Sequence, residues 1–317
     1  LYHLMKFTLI PLCLLGLVTW VGLAQDAAKP APLKVLMVTG GCCHDYENQK
    51  MILAEGLSAR ANVEFTVVHE EGPEGKKDKS HRVSIYEKDD WAKGYDLVLH
   101  NECFGAVTDV AFVERIAKAH KDGVPAVMLH CSTHSYRAAA TDEWRKCLGQ
   151  TSMSHEKNRD LLVKNIKPEH PVMKGFPMEW NDPKDELYKN EKLWENFVPL
   201  AQAYGEDTKK DHALVWVNTY GTGKVFGTTM GHNNSTMEDP VYLDLVTRGL
   251  LWACGKLDDN GKPLRMIGTH TDIDDVKRRA HGRWTEILDC LQVDARILKK
   301  CNLPCPLCGG TDRFQYT

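Results

Sequence analysis

Residues 33–46 read LKVLMVTGGCCHDY, and this stretch decides the fold. Its first seven residues form a mostly apolar run that two glycines end. That pattern is typical of a strand buried on both faces of a parallel sheet and entering a turn. The turn is not a dinucleotide-binding fingerprint, because it lacks a G-x-G-x-x-G spacing. It carries instead a histidine and a carboxylate, His44 and Asp45.

Three further predicted strands end in the same way, with a histidine or a carboxylate at or just after their last residue. They cover residues 95–100, 124–129 and 224–230. In an open α/β sheet, ligands bind in the crevice beyond the carboxyl ends of the strands. We therefore predict one site at that edge of the sheet, where five side chains converge: His44, Glu102, His130, His134 and His232.

Helical and strand patterns alternate along the first half of the chain. Predicted strands lie at 33–39, 62–69, 96–99 and 124–129, and predicted helices at 47–60, 109–121 and 136–148. This order predicts an α/β fold with a doubly wound, mostly parallel sheet. The second half predicts strands at 160–166, 212–217 and 224–230 and a final helix at 239–254.

Composition bounds the class of protein. The chain has 317 residues, of which 43% are hydrophobic and 26% charged, and its formal net charge is −3. These values predict one large globular domain with a small appendage. They give no global basic field for nucleic acid or an anionic membrane.

Four sequence strings carry a resemblance to a known family. They are GGCCHDY at 40–46, LHCSTHSYR at 129–137, DELY at 185–188 and WVNTYGTGKVFGTTMGH at 216–232. Together they resemble the ThuA-like proteins, over about residues 33–255. That family is linked to the utilisation of trehalose and other disaccharides. It is similar in fold to class I glutamine amidotransferases, so the resemblance implies a flavodoxin-like core.

The resemblance implies that the H-D, D-E-L-Y and G-H positions line a pocket for a small carbohydrate, either a glycoside or a keto-sugar. Such chemistry needs a general acid and a general base. The predicted catalytic residues are His44, Asp45, Glu102, His130, His134, Glu186 and His232. The predicted substrate-binding residues are Tyr46, His155, Asp185 and Tyr188. The reaction class (isomerase, lyase or hydrolase) stays open, and the alternative is a non-catalytic carbohydrate-binding module.

Cysteine and metal chemistry is not assigned to the main domain. An amidotransferase nucleophile would fall near Cys131, but ThuA-like proteins do not require a cysteine there. We interpret Cys131 as a small buried side chain. Cys42 and Cys43 are adjacent and are not expected to pair with each other. The main domain has no H-E-x-x-H or comparable cluster, so its cofactor is left unknown.

The N-terminal residues predict export. Residues 5–24 have a short basic start, an apolar stretch of about 16 residues and a small-x-small site, as in a secretory signal peptide. The apolar stretch is short for a membrane span, which needs about 20 residues. We predict a secreted or periplasmic protein with no membrane contact after cleavage, and a flexible linker at 25–32.

The C-terminal residues have a different character. After a linker at 256–271, residues 272–317 resemble a truncated zinc ribbon of primase-helicases, on the string CPLCGGTDRF at 305–314. Cys305 and Cys308 would supply half of a four-ligand zinc site, so zinc binding there is incomplete. Nucleic acid is not an expected partner, and only this fragment could bind it. We interpret the chain as a composite of an exported ThuA-like protein and a truncated primase fragment, joined near residues 262–270, and a genuine fusion with a DNA-primase-type module is the rival interpretation.

Overall fold

The computed structural model describes residues 31–75 and 78–264. The predicted signal peptide and the predicted zinc-ribbon fragment, with Cys305 and Cys308, lie outside the described residues. The same holds for most of the linker at 25–32 and for the end of the linker at 256–271.

Eleven strands and five α-helices form the described part of the chain. The strands are β1 (Leu33–Gly41), β2 (Val63–Glu70), β3 (Leu97–Cys103), β4 (Ala126–Leu129), β5 (Gln150–Thr151), β6 (Arg159–Asn165), β7 (Glu179–Asp185), β8 (Lys192–Leu193), β9 (Val198–Gly205), β10 (Lys210–Tyr220) and β11 (Gly223–Thr228). The helices are α1 (Tyr46–Ser58), α2 (Val110–Lys121), α3 (Glu143–Leu148), α4 (Asn234–Glu238) and α5 (Pro240–Ala253).

Nine of the strands form one sheet in the order β2-β1-β3-β4-β11-β10-β9-β6-β7. The first five strands are mutually parallel. The last four, from β10 to β7, are each antiparallel to their neighbours. The chain order reverses beside β1, where β2 lies on one side and β3 on the other. Ligands of open α/β sheets bind at such a switch point.

Two hydrophobic cores lie on the two faces of the sheet. Val35 and Met37 of β1 pack with residues of α1 and α5, whereas Leu36 and Val38 pack with residues of α2 and α3. Successive side chains of a strand point to opposite faces, so a strand covered on both sides must be apolar at nearly every position. This arrangement confirms the predicted doubly wound α/β fold.

The structure corrects two predicted elements. The helix predicted at 136–148 begins only at Glu143, because Tyr136 adopts a left-handed backbone with φ 59° that an α-helix cannot contain. Strand β3 runs on to Cys103, so Glu102 lies inside the strand and not in the loop that follows it. No helix among residues 31–75 and 78–264 is long and apolar enough to cross a membrane.

Candidate active site at the carboxyl edge of the sheet

The turn after β1 is shaped by two glycines. Gly40 and Gly41 have φ angles of 124° and 93°, a region that side chains rarely occupy. A Cβ atom at Gly40 would collide with the backbone of Glu70, and one at Gly41 with the backbone of Cys103. The chain therefore passes closely between β2 and β3 before it reaches His44.

His130 stands at the end of β4 and is held by a backbone hydrogen bond. Its Nδ1–H donates to the carbonyl oxygen of Thr229 at 2.5 Å. Since that nitrogen is a donor, Nε2 is left to face Glu186 and Tyr188; it lies 3.5 Å from Oε2 of Glu186 and 3.4 Å from the Tyr188 hydroxyl. The residue adopts φ 42°, and left-handed backbone at a non-glycine residue is typical of functional sites.

Asp185 fixes the two segments that carry Glu186 and His232. Its carboxylate is fully buried and accepts hydrogen bonds from the backbone N–H groups of Gly231 at 2.8 Å, His232 at 3.1 Å and Glu186 at 2.6 Å. The structure thus corrects the prediction that Asp185 binds substrate. The carboxylate lies behind the pocket wall and positions its neighbours.

Three imidazoles surround the Glu186 carboxylate. Its oxygens lie 3.5 Å from Nε2 of His130, 3.5 Å from Nδ1 of His232 and 3.6 Å from Nε2 of His155. The ring of His44 lies 4.6 Å from that of His130 and 4.9 Å from that of His232. These groups come from segments that are far apart in sequence and meet only because the sheet brings their ends together.

The surroundings lower the pKa values of His44 and Glu186 and raise that of His232. Burial, followed by the charges of His130 and His232, lowers the pKa of His44 to about 2. Burial alone would raise the pKa of Glu186, but the polar contacts and charges of the histidines outweigh it and lower this pKa. The nearby carboxylate of Glu186 raises the pKa of His232. At neutral pH the site thus holds an ionised carboxylate beside a neutral His44.

A stack of rings forms the adjoining wall. The His134 ring lies parallel to that of Tyr188, with centroids 4.0 Å apart, and the His155 ring stacks at 5.6 Å on the same tyrosine. Burial, then the charge of Arg137, lowers the pKa of His134 to about 3. Only 1% of Tyr188 is exposed, so it supports the histidines and does not present an open aromatic face.

A cavity of about 470 Å³ opens in front of these groups. This volume is within the range of small-molecule sites, about 300–1,000 Å³. Six of the predicted residues line it: His44, His134, His155, Glu186, Tyr188 and His232. Lys79, Arg137 and Met153 contribute to the wall and were not predicted. Lys79 and Met153 lie outside the quoted sequence strings, whereas Arg137 ends the string LHCSTHSYR but was given no role.

Glu102 faces away from this cavity. Its Oε1 accepts hydrogen bonds from the hydroxyls of Tyr86 at 3.0 Å and Tyr136 at 3.2 Å, and lies 3.0 Å from Nδ1 of His100. His100 and Glu102 are two residues apart in a strand and therefore share a face. The prediction that Glu102 joins the histidines is corrected, because its side chain points into the core beneath α2.

Asp45 and Tyr46 also lie beside the cavity and not in its wall. The Asp45 carboxylate accepts hydrogen bonds from the side-chain amides of Asn48 at 2.7 Å and Asn234 at 2.8 Å, which ties the start of α1 to α4. Tyr46 is buried, and its ring meets the edge of His44 with centroids 5.7 Å apart. Tyr46 thus supports His44, whereas Asp45 lines a second cavity of about 520 Å³ together with His44 and His232.

Four cysteines line the floor of the cavity as two disulfides, Cys42–Cys43 and Cys103–Cys131. The expectation that the adjacent pair stays unpaired is wrong, because the backbone of Cys43 turns into the left-handed region at φ 85° and brings the two sulfurs together. An amidotransferase-type nucleophile would fall near Cys131. In the structure the residue with left-handed backbone after β4 is His130, and Cys131, the next residue, is held in a disulfide.

Asp182 is a second buried carboxyl on β7, and we predict that it makes stability fall as pH rises. Burial, then the charge of Asp185, raises the pKa of Asp182 from 3.8 to about 9. Between these values the folded state holds a proton that the unfolded state lacks, so stability is lost as pH rises, by at most about 1.4 kcal/mol per pH unit. Asp182→Asn mimics the protonated form and keeps an acceptor for the Thr236 hydroxyl.

We therefore expect Asp182→Asn to gain stability over the wild type at pH 8.5 and much less at pH 5.5, in urea unfolding curves. The exposed Asp259→Asn variant is the control and should follow the wild type at both values. If the difference in stability between Asp182→Asn and the wild type is the same at pH 5.5 and pH 8.5, the carboxyl of Asp182 is already ionised in the folded protein.

The fold and the site define a class: an α/β protein whose pocket, at the carboxyl edge of a doubly wound sheet, gathers imidazoles around one carboxylate. The family described as "ThuA: Trehalose utilisation" matches residues 34–253. The chain belongs to the ThuA family. Among curated proteins, no sequence matches this chain.

Solved structures share the fold at low sequence identity. A ThuA-like protein from Parabacteroides merdae is 21% identical with a TM-score of 0.54, over 70% of this chain and 90% of its own. One from Bacteroides uniformis is 16% identical with a TM-score of 0.55, over 77% of this chain and 99% of its own.

Proposed function

We propose that this protein is an enzyme that acts on a small carbohydrate, a glycoside or a keto-sugar, by acid–base chemistry in the cavity around Glu186. The observation that carries the proposal is the placement of three imidazole rings within 3.6 Å of one carboxylate, at the wall of a cavity sized for a small molecule. Proton donors and acceptors that meet at one point are what general acid–base catalysis requires.

The cavity wall suits a sugar. Hydroxyl groups need many hydrogen-bonding partners, and His134, His155 and Arg137 offer them around the opening. Ala106, Ala138 and Met153 provide apolar surface for the C–H face of a ring. The family's description, trehalose utilisation, agrees with a carbohydrate substrate.

The binding-module alternative has less support. A carbohydrate-binding surface commonly exposes an aromatic face, but Tyr188 is buried beneath the histidine rings. A pure binder would also have its histidines bonded away from the pocket. Here the Nδ1 atoms of His130 and His155 donate to backbone carbonyls, and their Nε2 atoms face Glu186.

The proposal extends to the place of action. We propose that the reaction takes place in the periplasm or outside the cell, and the signal-peptide pattern at 5–24 supports this. The proposal assigns no activity to the pattern at 272–317, where Cys305 and Cys308 supply two of the four ligands that a zinc ribbon needs. Fusion to a DNA-primase-type module would instead require nucleic-acid binding by the full-length chain.

A substrate panel tests the proposal. Purified protein is incubated with disaccharides and their 3-keto derivatives in D₂O and followed by ¹H NMR, with and without a chelator. We expect consumption of at least one compound, and deuterium entering at a sugar carbon would separate lyase or isomerase chemistry from hydrolysis. Saturable binding of a panel member with no conversion would favour the binding module.

We predict that Cys131 is dispensable for catalysis. The Cys131→Ser variant should keep its rate within about 10-fold of the wild type, because Cys131 is bridged to Cys103 and no free thiol among the described residues lines the cavity. Loss of a true nucleophile costs about 10³-fold or more. Cys147→Ser, at a buried free cysteine outside the cavity, is the matched control. A folded but inactive Cys131→Ser protein would restore the amidotransferase-like mechanism.

A further inference from the structure

We propose that His44, His130, His232 and Glu186 bind one divalent first-row transition-metal ion. One ligand atom from each of the four residues lies within 4.8 Å of the others. The residues come from four separate segments, so no local spacing in the sequence marks them as a metal site. Binding of the ion does not depend on the substrate, whereas its part in turnover rests on the proposed function.

Two spacings within the cluster fit an ion between the groups better than direct hydrogen bonds. Oε2 of Glu186 lies 3.5 Å from Nε2 of His130, and its Oε1 lies 3.5 Å from Nδ1 of His232. Both distances are beyond the 2.7–3.2 Å of ordinary N–H···O bonds. Metal–ligand bonds of about 2.0–2.2 Å place tetrahedral ligands about 3.3–3.6 Å apart. Elsewhere in the same site, the His155 Nδ1–H donates to the carbonyl oxygen of Glu156 at an ordinary 2.8 Å.

Two buried imidazole nitrogens in the cluster need a partner. Nδ1 of His44 and Nδ1 of His232 are buried and lack a hydrogen bond among the described residues, and Nδ1 of His232 has the Glu186 carboxylate 3.5 Å away. A buried polar atom without a partner costs free energy. A metal ion at the centre of the cluster would take up these lone pairs.

The groups behind the ligands have the arrangement that metal sites use. A ligating histidine commonly donates its other ring N–H to a backbone carbonyl, which orients the ring and raises its basicity. The bond from His130 to Thr229 does this. Asp185 holds the backbones of both Glu186 and His232, so two ligands are fixed before any ion arrives.

The donor set selects the class of ion. Three imidazole nitrogens and one carboxylate oxygen suit Zn²⁺, Mn²⁺, Fe²⁺ or Co²⁺, whereas Mg²⁺ and Ca²⁺ prefer oxygen donors. An ion here would face the cavity and act as a Lewis acid on a sugar oxygen or on water. His155, which is not among the four ligands, would remain available for proton transfer.

Metal titration of the full chain tests the inference. The protein is stripped with EDTA, kept free of reductant so that the bridges stay closed, and titrated with Zn²⁺ by calorimetry and with Co²⁺ by visible absorption. We expect the stripped protein to bind one ion per chain at this site, with a Kd at or below about 1 µM. Glu186→Gln and His232→Gln should each weaken binding by about 100-fold or more. Asp185→Asn should weaken it by about 10–100-fold, as changes to groups that orient metal ligands do.

The controls separate this site from the other cysteine and carboxylate groups. A Cys305→Ser/Cys308→Ser double variant and the exposed Glu195→Gln variant should bind as the wild type does. Binding that survives both ligand variants, or that disappears in the cysteine variant, overturns the inference. Thermal unfolding with and without Zn²⁺ confirms that each variant is folded and reports binding as a rise in Tm.

Metal binding and sugar conversion are measured separately, so either proposal can fail without the other. One bound ion without conversion of any sugar would keep the metal site and reject the enzyme. Conversion of a sugar that persists in EDTA with no bound ion would keep the enzyme and reject the metal site.

Discussion

Replacing Asp185 by alanine is expected to lower the free energy of unfolding by about 3 kcal/mol, the largest stability effect predicted for this site. The substitution leaves three backbone N–H groups without their acceptor, and each buried donor without a partner costs about 1–3 kcal/mol. Asp182 is protonated at pH 7, so the substitution relieves no charge repulsion that would offset this loss. Urea unfolding at pH 7 measures the change.

The same substitution should also impair activity, because a misplacement of about 1 Å can cost roughly 100-fold in rate. Asp259→Ala, at an exposed aspartate, serves as the control and should leave both quantities unchanged. If Asp185→Ala proves as stable as the control, Asp185 does not hold the Glu186 and His232 segments in place.

Replacing Glu186 by glutamine is expected to reduce kcat/KM by about 10²–10⁴-fold while leaving the fold intact. Loss of a positioned acid or base has this effect, and the carboxylate is the one charge that all the surrounding imidazoles face. Glutamine has nearly the same shape and keeps one oxygen, so packing should be preserved. Steady-state kinetics on the best substrate of the panel measure the change.

Glu195→Gln is the matched control, since that carboxylate is exposed and lies outside the cavity wall. A Glu186→Gln protein that turns over at the wild-type rate would remove Glu186 from the chemistry. A fall in kcat with an unchanged KM would assign it to the transition state and not to substrate binding.

The part of the fold that the sequence predicts well is the parallel half. Strand β1 is buried on both faces, so its residues must be apolar, and its exit turn requires Gly40 and Gly41. Strand β7 was not predicted because it lies at the edge of the sheet, where EWNDPKD shows no apolar alternation. The limits of strands are set by pairing, which is why β3 extends to Cys103 and carries Glu102 inward.

The sequence predicts the edge of the sheet at which the site lies. It does not predict which side chains contact one another there. Histidines at strand ends could be placed at one edge, because parallel strands end together. Which of the adjacent Asp185 and Glu186 faces the pocket depends on the backbone of a strand that the sequence did not reveal. The metal-binding geometry depends on four residues far apart in sequence, so spacing rules had nothing to detect.

The central claim is that the histidine–carboxylate cluster converts a small carbohydrate, and the most direct test is a rate comparison. The wild type and a His44→Gln/His232→Gln double variant are each given the same disaccharides and 3-keto derivatives, and substrate loss is followed by ¹H NMR. The account predicts conversion by the wild type and a rate at least about 100-fold lower for the variant. Equal rates for the two folded proteins, or no conversion of any compound by wild type loaded with Zn²⁺, Mn²⁺, Fe²⁺ or Co²⁺ in turn, would contradict it.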